Sequence, residues 1–439
     1  MENILKQAKK IHFIGIGGIG ISAIARMLLL EGKQVSGSDR DASKVTDELK
    51  KAGATIFIGQ KKENFPSDCD LVVYTVAIPK EDPEFAEAVK SGVKMLTYPQ
   101  TLNLISKEKY TIAVSGTHGK TTVTAMIAKI MIEAGLDPTV IVGSLLKDIG
   151  ANSDSNFVAG KSKYLVVEAD EYKKSFHNLE PSILVINNLD EDHLDFYKDL
   201  ADIQDSFLHL AKKLPKDGFL ICNTKLPNLQ PIIKEVGCQV VDYDSISHDH
   251  KLLVPGEHNR QNAKAANAVA KVLGASDEII LKSLKSFSGT WRRFEYKGKT
   301  KTGAVVYDDY AHNPQKVKAA LQGAREMFPD KNIIVVFQPH LFSRTKLLLN
   351  EFATAFVDAD EVILAPIFPA REVFDPTISS EILASAVIAN EVKQSRNKKV
   401  KAFKDFSDIE KYLKVNLKTN DILITMGAGE QYKIGESLL

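Results

Sequence analysis

The chain has 439 residues, too many for one ordinary hydrophobic core, so two or three domains are expected. A hydrophobic fraction of 44% with 26% charged residues describes a globular protein, and 57 Lys+Arg against 56 Asp+Glu excludes the strong basic footprint of a nucleic-acid or membrane-surface binder. Cys69, Cys222 and Cys238 are too few for a disulfide framework and lack metal-ligand spacing; with a polar N-terminus that resembles no signal peptide, they point to the cytoplasm.

In chain order, short β-branched runs alternate with helix-period runs. Ile11–Gly15 reads as a strand, Ile19–Glu31 as a helix and Gln34–Gly37 as a second strand. Ile11–Leu30 is broken by Arg26 and by glycines, and is too short to cross a bilayer. Thr55–Ile58, Leu71–Thr75 and Lys94–Leu96 read as strands and Glu84–Ser91 as a helix, with a boundary at Pro99–Lys109. A second series begins with the strand Tyr110–Ser115 and the helix Thr121–Ala134. It continues through strands at Tyr164–Val167 and Ile183–Asn187 and helices at Leu200–Lys213, Asn259–Leu273 and Asp277–Ser286. Ser288–Arg293 is rich in turn residues and reads as the second boundary. A third series has strands at Ala304–Tyr307, Ile333–Phe337, Glu361–Ala365 and Ile422–Thr425, and a helix after Pro314. The basic run Lys393–Lys401 reads as a solvated loop. The expectation is an α/β protein with three domains in series, 1–107, 108–291 and 292–439.

Gly15-Ile-Gly17-Gly18-Ile-Gly20 follows a strand and opens a helix. Glycines there permit a tight turn and close approach of backbone to a pyrophosphate, and Asp39 ends the next strand where an acid can meet a ribose hydroxyl. The pattern alone suits an NAD-dependent oxidoreductase, a UDP-sugar binder, or glycines that serve only strand–helix packing. Gly116-Thr117-His118-Gly119-Lys120-Thr121-Thr122 is more specific. Such a loop cradles phosphates with backbone N–H groups, its lysine offsets terminal phosphate charge and the next hydroxyl binds Mg²⁺. It departs from the usual phosphate-loop spacing, because Val114 stands where the first glycine falls.

Glu168-Ala-Asp170-Glu171 and Asn187-Asn188-Leu-Asp190-Glu191-Asp192-His193-Leu-Asp195 end successive strands, where chemistry collects in parallel sheets. A carboxylate plus the loop hydroxyl suits one Mg²⁺, and His193 suits a second or a surface ion pair. His258-Asn259 with Asn262 opens a helix, and Asn259 could serve as its cap. Arg292 and Arg293 suit phosphate contact or ion pairing. Asp308-Asp309-Tyr310-Ala311-His312-Asn313-Pro314 and Gln338-Pro339-His340 with Ser343-Arg344-Thr345 again end strands.

Taken together and in this order, these segments resemble the Mur ligases over essentially the whole chain. The resemblance implies a Rossmann-like N-terminal domain for a UDP-sugar, a central P-loop ATPase α/β domain, and a C-terminal Rossmann-like domain for the incoming amino acid. It implies that Gly15, Gly17, Gly18, Gly20, Ser38 and Asp39 serve the UDP-sugar. Gly116, Thr117, His118, Gly119, Lys120, Thr121, Thr122, Asn259, Asn262, Arg293 and Asp309 would serve ATP. Thr121, Glu168 and His193 would hold Mg²⁺, with Mn²⁺ as a substitute, and Tyr310, His312 and Arg344 would surround the amino acid. Lys120, His193, His312 and Arg344 would carry the chemistry. The implied reaction joins L-alanine to the carboxylate of UDP-N-acetylmuramate through an acyl phosphate; the alternatives are another amino acid or a peptide on the same sugar. The protein is expected to be a monomer or homodimer with no nucleic-acid or membrane partner. Leu341, where some members carry arginine, and Glu171-Tyr172-Lys173 depart from the family's commoner pattern.

Overall fold

A computed structural model describes residues 4–147, 149, 155–193, 196–246, 252–370, 372–393 (side chains to 390) and 398–439. Its strands form three sheets. The first holds β1 (Lys10–Ile14), β2 (Gln34–Asp39), β3 (Thr55–Ile58), β4 (Leu71–Tyr74) and β5 (Lys94–Thr97) in the order β3-β2-β1-β4-β5, all parallel. The second holds β6 (Tyr110–Ser115), β7 (Thr139–Leu146), β8 (Ser155–Val158), β9 (Tyr164–Glu168), β10 (Ile183–Ile186), β11 (Phe219–Cys222) and β12 (Gln239–Asp242) in the order β12-β11-β10-β6-β9-β7-β8. Only the edge hairpin β7–β8 is antiparallel there. The third holds β13 (Glu295–Lys299), β14 (Val305–Asp309), β15 (Asn332–Phe337), β16 (Glu361–Leu364), β17 (Lys399–Ala402) and β18 (Asp421–Met426) in the order β13-β14-β18-β15-β16-β17, with β13 antiparallel.

The chemistry of the strands explains this arrangement. Ile183-Leu-Val-Ile186 and Asp421-Ile-Leu-Ile-Thr-Met426 are buried at every position, as strands covered by helices on both faces must be. In the first two sheets the connections reverse direction beside β1 and beside β6. The loops after those strands therefore open into the crevice at a topological switch point.

The first two sheets make one unit, Met1–His250 with Gln261–Ser286; Lys251–Arg260 and Phe287–Leu439 make the other. One continuous apolar core explains the fusion of the first two. It runs from Ile11, Phe13, Ile24 and Leu28 to Ile141, Phe157, Val167 and Phe207. The segment expected as a boundary, Pro99–Lys109, contains the end of a helix, Tyr98–Ser106, followed by a short connection to β6. Thr97 and Gln100 form its capping box, and Pro99 sits in the first turn, where its missing N–H costs nothing. The end of the basic run is corrected. Lys399-Val-Lys-Ala402 pairs with β16 as an edge strand with alternating exposure, while 394–397 lie outside the described residues. Among the described residues, no helix is long and apolar enough to cross a membrane.

Candidate active site

Gly116 (φ 126°) and Gly119 (φ 83°) carry the turn from β6 into the helix Lys120–Glu133 in backbone conformations that favour glycine. A Cβ on Gly116 would stand 2.9 Å from the Asn188 carbonyl, and one on Gly119 would meet Asn187 Nδ2 at 2.5 Å. The loop is held from behind by amides. His118 N donates to Asn188 Oδ1 at 2.7 Å, and Asn187 and Asn188 return Nδ2 donors to the His118 carbonyl at 3.0 and 3.1 Å. Asn187 Nδ2 also donates to Asn262 Oδ1 at 2.8 Å, and Asp190 N donates to Thr117 Oγ1 at 2.9 Å. The N–H groups of Lys120, Thr121 and Thr122 have no partner within the helix, which makes this end of it suited to anions.

Lys120 Nζ donates to the Gly116 carbonyl at 2.8 Å and pairs with Glu171, 2.9 Å from Oε1 and 2.8 Å from Oε2. Burial opposes the ammonium charge, but Glu171 outweighs it and holds Lys120 above its ordinary pKa. Thr121 Oγ1 donates to the two Glu168 oxygens at 3.0 and 3.1 Å, and Gly143 N of β7 donates to Oε2 at 2.9 Å. His193 Nε2 lies 3.8 Å from Glu171 Oε1, and its ring lies 4.9 Å from that of Tyr172. Lys120, Thr121, Glu168 and His193 thus converge where β6, β9 and β10 end. Asp195 lies outside the described residues.

The first glycine loop is built in a similar way. Gly15 (φ 81°) passes so close to Thr75 that a Cβ would stand 2.5 Å from its methyl group. The Ser38 carbonyl accepts from Gly15 N and Ile16 N, both at 2.9 Å, and Asp39 Oδ2 accepts from Gly17 N at 2.8 Å. The Ser38 hydroxyl is fully buried and donates to Glu84, which meets His12 Nε2 at 2.7 Å. Ser38 thus commits its side chain to the interior and shapes the loop through its backbone, and Asp39 already holds a loop N–H. Gly18 caps the helix Ile19–Leu30 without a side chain. A Cβ on Gly20 would stand 2.7 Å from the Tyr98 ring, and burial and the nearby Glu168 and Asp170 charges all raise the Tyr98 phenol pKa. From β8, Asn156 Nδ2 donates to the Ile19 carbonyl and to Ser22 Oγ, the latter at 2.9 Å. The first glycine loop is therefore linked to the second through the β7–β8 hairpin, from Asn156 on β8 to Gly143 on β7 and Glu168.

In the other unit, Arg292 is 3% exposed and fully used: Nε meets Asp308 Oδ2 at 2.8 Å, and the terminal nitrogens donate to the Gly429 and Gly427 carbonyls at 3.0 and 2.6 Å. Burial raises the Asp308 pKa to about 6 against the pull of Arg292. The alternatives of phosphate contact and ion pairing thus resolve to an internal ion pair at Arg292. The Arg293 guanidinium lies 5.1 Å from the centre of the Tyr310 ring, as does that of Arg292. Asp309 accepts from Phe294 N and Ala311 N at 2.8 and 2.7 Å; burial raises its pKa, with Arg293 opposing. His312 Nδ1 donates to the Tyr310 carbonyl at 2.8 Å, and burial lowers its pKa to about 3. The His312 and His340 rings are 6.0 Å apart, and Arg344 reaches His340 Nδ1 at 3.3 Å. Arg293, Asp309, Tyr310, His312 and Arg344 are thus brought together. Asn259 lies in this unit too, inside the first turn of its helix, donating to the Pro255 carbonyl at 2.7 Å.

Residues 10–110 match the description "Mur ligase family, catalytic domain", residues 114–252 "Mur ligase middle domain", and residues 292–429 "Mur ligase, glutamate ligase domain". The chain belongs to the Mur ligase family. The UDP-N-acetylmuramate–L-alanine ligase of Clostridium kluyveri is 45% identical over 459 residues, covering 98% of both chains. That of Lachnospira eligens is 43% identical, covering 98% of this chain and 97% of the relative. The solved UDP-N-acetylmuramate–alanine ligase of Thermotoga maritima matches with a TM-score of 0.81 at 28% identity over 98% of each chain. A murein peptide ligase of Psychrobacter arcticus, TM-score 0.68 at 24% identity, shares the fold.

Within this Mur ligase the donor set suits a divalent cation held jointly with phosphate. Thr121 and Glu168 supply hard oxygens, and among the described residues no group of three or more His, Cys, Asp or Glu could hold a metal alone. Sequence reasoning quoted Asn187, Asn188 and Glu171 but gave them no role, and it did not single out Tyr98 or Asn156. The Asn-Asn pair directly after a buried strand was the available signal. The other contacts join residues far apart in the chain, and no local pattern marks them.

Proposed function

We propose that this Mur ligase joins L-alanine to the carboxylate of UDP-N-acetylmuramate, with ATP cleaved to ADP and phosphate, in the cytoplasm. The observation that carries the reading is the pair Lys120 and Thr121–Glu168 at the helix mouth, with the first glycine loop tied to the same unit through Tyr98 and Asn156. A carboxylate is a poor electrophile. Transfer of the terminal phosphoryl group of ATP to it gives an acyl phosphate; the amine adds to the acyl carbon, loses a proton, and phosphate leaves.

The residues divide this work. Backbone N–H groups from Gly116 to Thr122 receive the phosphates, and the Lys120 ammonium offsets charge on the group in transfer. Thr121 and Glu168 would hold one Mg²⁺ or Mn²⁺ and His193 a second, supplying further charge neutralisation. Asn259, Asn262, Arg293 and Asp309 serve the nucleotide. Tyr310 and Arg344 receive the amino acid, the guanidinium suiting its carboxylate. His312, with Nδ1–H spent on Tyr310 and a pKa near 3, is too weak a base to keep a proton; Nε2 orients the amine by accepting its hydrogen bond.

The test is phosphate release from ATP with UDP-N-acetylmuramate, adding amino acids and short peptides one at a time. Release that requires the sugar nucleotide and is fastest with L-alanine is expected. Release indifferent to the amino acid, or greater with a peptide, rejects the reading.

A further inference from the structure

Two carboxylates from the segment that ends β9 grip successive residues of the phosphate loop: Glu168 holds Thr121, and Glu171 holds Lys120. The two grips differ in kind. The Thr121–Glu168 contact leaves both groups free to share a cation, whereas Glu171 occupies the ammonium itself. The Glu171 side chain is 4% exposed and that of Lys120 14%, so water contributes little to either charge. The glutamate is also fixed behind: its carbonyl accepts from Tyr197 Oη at 2.6 Å and from Lys174 N at 3.0 Å, and the Tyr197 side chain is buried. Lys173 and Lys174, at φ 52° and 56°, shape the turn that follows it.

An ammonium has three donors. Here one goes to the Gly116 carbonyl and one to Glu171 Oε1, with Oε2 of the same carboxylate 2.8 Å from the nitrogen. A phosphate arriving at the loop meets a lysine already neutralised, and it meets a second anion beside it. We propose that Glu171 is a positioning residue that stands in for the terminal phosphate of the nucleotide: it keeps Lys120 folded over the loop when the site is empty and competes with phosphate for the ammonium. The proposal rests on the reading of Gly116–Thr122 as the ATP loop. It explains how a buried lysine stays charged and placed between turnovers, since an unpaired charge there would be costly.

The test is equilibrium binding of ATP to the full chain by calorimetry, in excess chelator so that no divalent cation takes part. Glu171→Gln keeps the shape and removes the charge. It is expected to lower the Kd for ATP by at least about fivefold, by removing a nearby anion from a weakly screened site. The unliganded Tm should fall while the rise in Tm produced by ATP grows. A merely structural role would leave binding unchanged or weaken it. Glu171→Asp, which keeps the charge but draws it back by one methylene, covers the case in which the glutamine variant does not fold; it should tighten binding in the same direction by less. ATP binding at or weaker than the wild-type level in whichever variants fold overturns the proposal. Lys120→Ala separates the two readings. If it binds ATP as the wild type does, the ATP-loop reading fails; if it loses binding and Glu171→Gln shows no tightening, only the role of Glu171 fails.

Discussion

At the scale of single residues, the phosphate loop depends on positions where a side chain has no room. Gly119→Ala would place a methyl group against Asn187 and Asn262 and force alanine into φ 83°. ATP affinity should fall by about tenfold or more, the effect of roughly 1.4 kcal/mol of strain at the site, in the same calorimetric titration; unchanged affinity would mean that the loop tolerates rearrangement. His312 makes a prediction about pH. Its folded pKa of about 3 lies below the ordinary value, so the unfolded chain binds the extra proton at intermediate pH. The stabilisation is therefore fully present above about pH 6.5 and is lost as pH falls from there toward 3. A His312→Gln variant should lose Tm less steeply than the wild type between those limits, and parallel melting curves would show that the imidazole is not held neutral.

At the scale of elements, strand ends place nearly all of the chemistry, and the buried groups beneath them keep those ends in register. Arg292 is the clearest case, because it ties the turn before β13 to Asp308 on β14 and to the carbonyls that follow β18. Arg292→Met leaves Asp308 buried without its cation and should cost about 3–5 kcal/mol, read as a lower urea midpoint for the second unit. A shift no larger than that of a surface substitution would show that the pair contributes little. The residues that support the phosphate loop follow the same logic. Asn187 and Asn188 sit one strand away from the loop, on β10's exit, so the parallel pairing of β6 with β10 sets their distance.

At the scale of the molecule, the first two sheets share one core, and the contacts that tie their glycine loops together run through β8 and β7. Asn156→Ala removes the donors to Ile19 and Ser22 while leaving the phosphate loop untouched. The KM for UDP-N-acetylmuramate should rise several-fold, the effect of losing about 1 kcal/mol of buried hydrogen bonding, with ATP affinity little changed. If both parameters moved equally, the contact would support the unit as a whole instead of the sugar-nucleotide loop.

The alternation of strands and helices, both glycine loops and the acidic strand ends were legible in the amino-acid sequence, because each depends on local periodicity or on residues a few positions apart. Apolar runs located β1, β6, β10 and β15, the first two closed by glycine. The same reasoning passed over the β7–β8 hairpin, β11, β13 and the edge strands β12 and β17; of these, Gln239-Val-Val-Asp242 and Lys399-Val-Lys-Ala402 are only partly apolar. It read Pro99–Lys109 as a boundary and did not see the helix Tyr98–Ser106 within it, where the proline is a first-turn residue. Where each polar group is spent was decided by tertiary structure alone. Burial turned Ser38 inward, locked Arg292 into an ion pair, lowered the His312 pKa and set Glu171 against Lys120. A sequence names the groups that can carry charge, but only packing fixes how far each is from water and from its counter-charge.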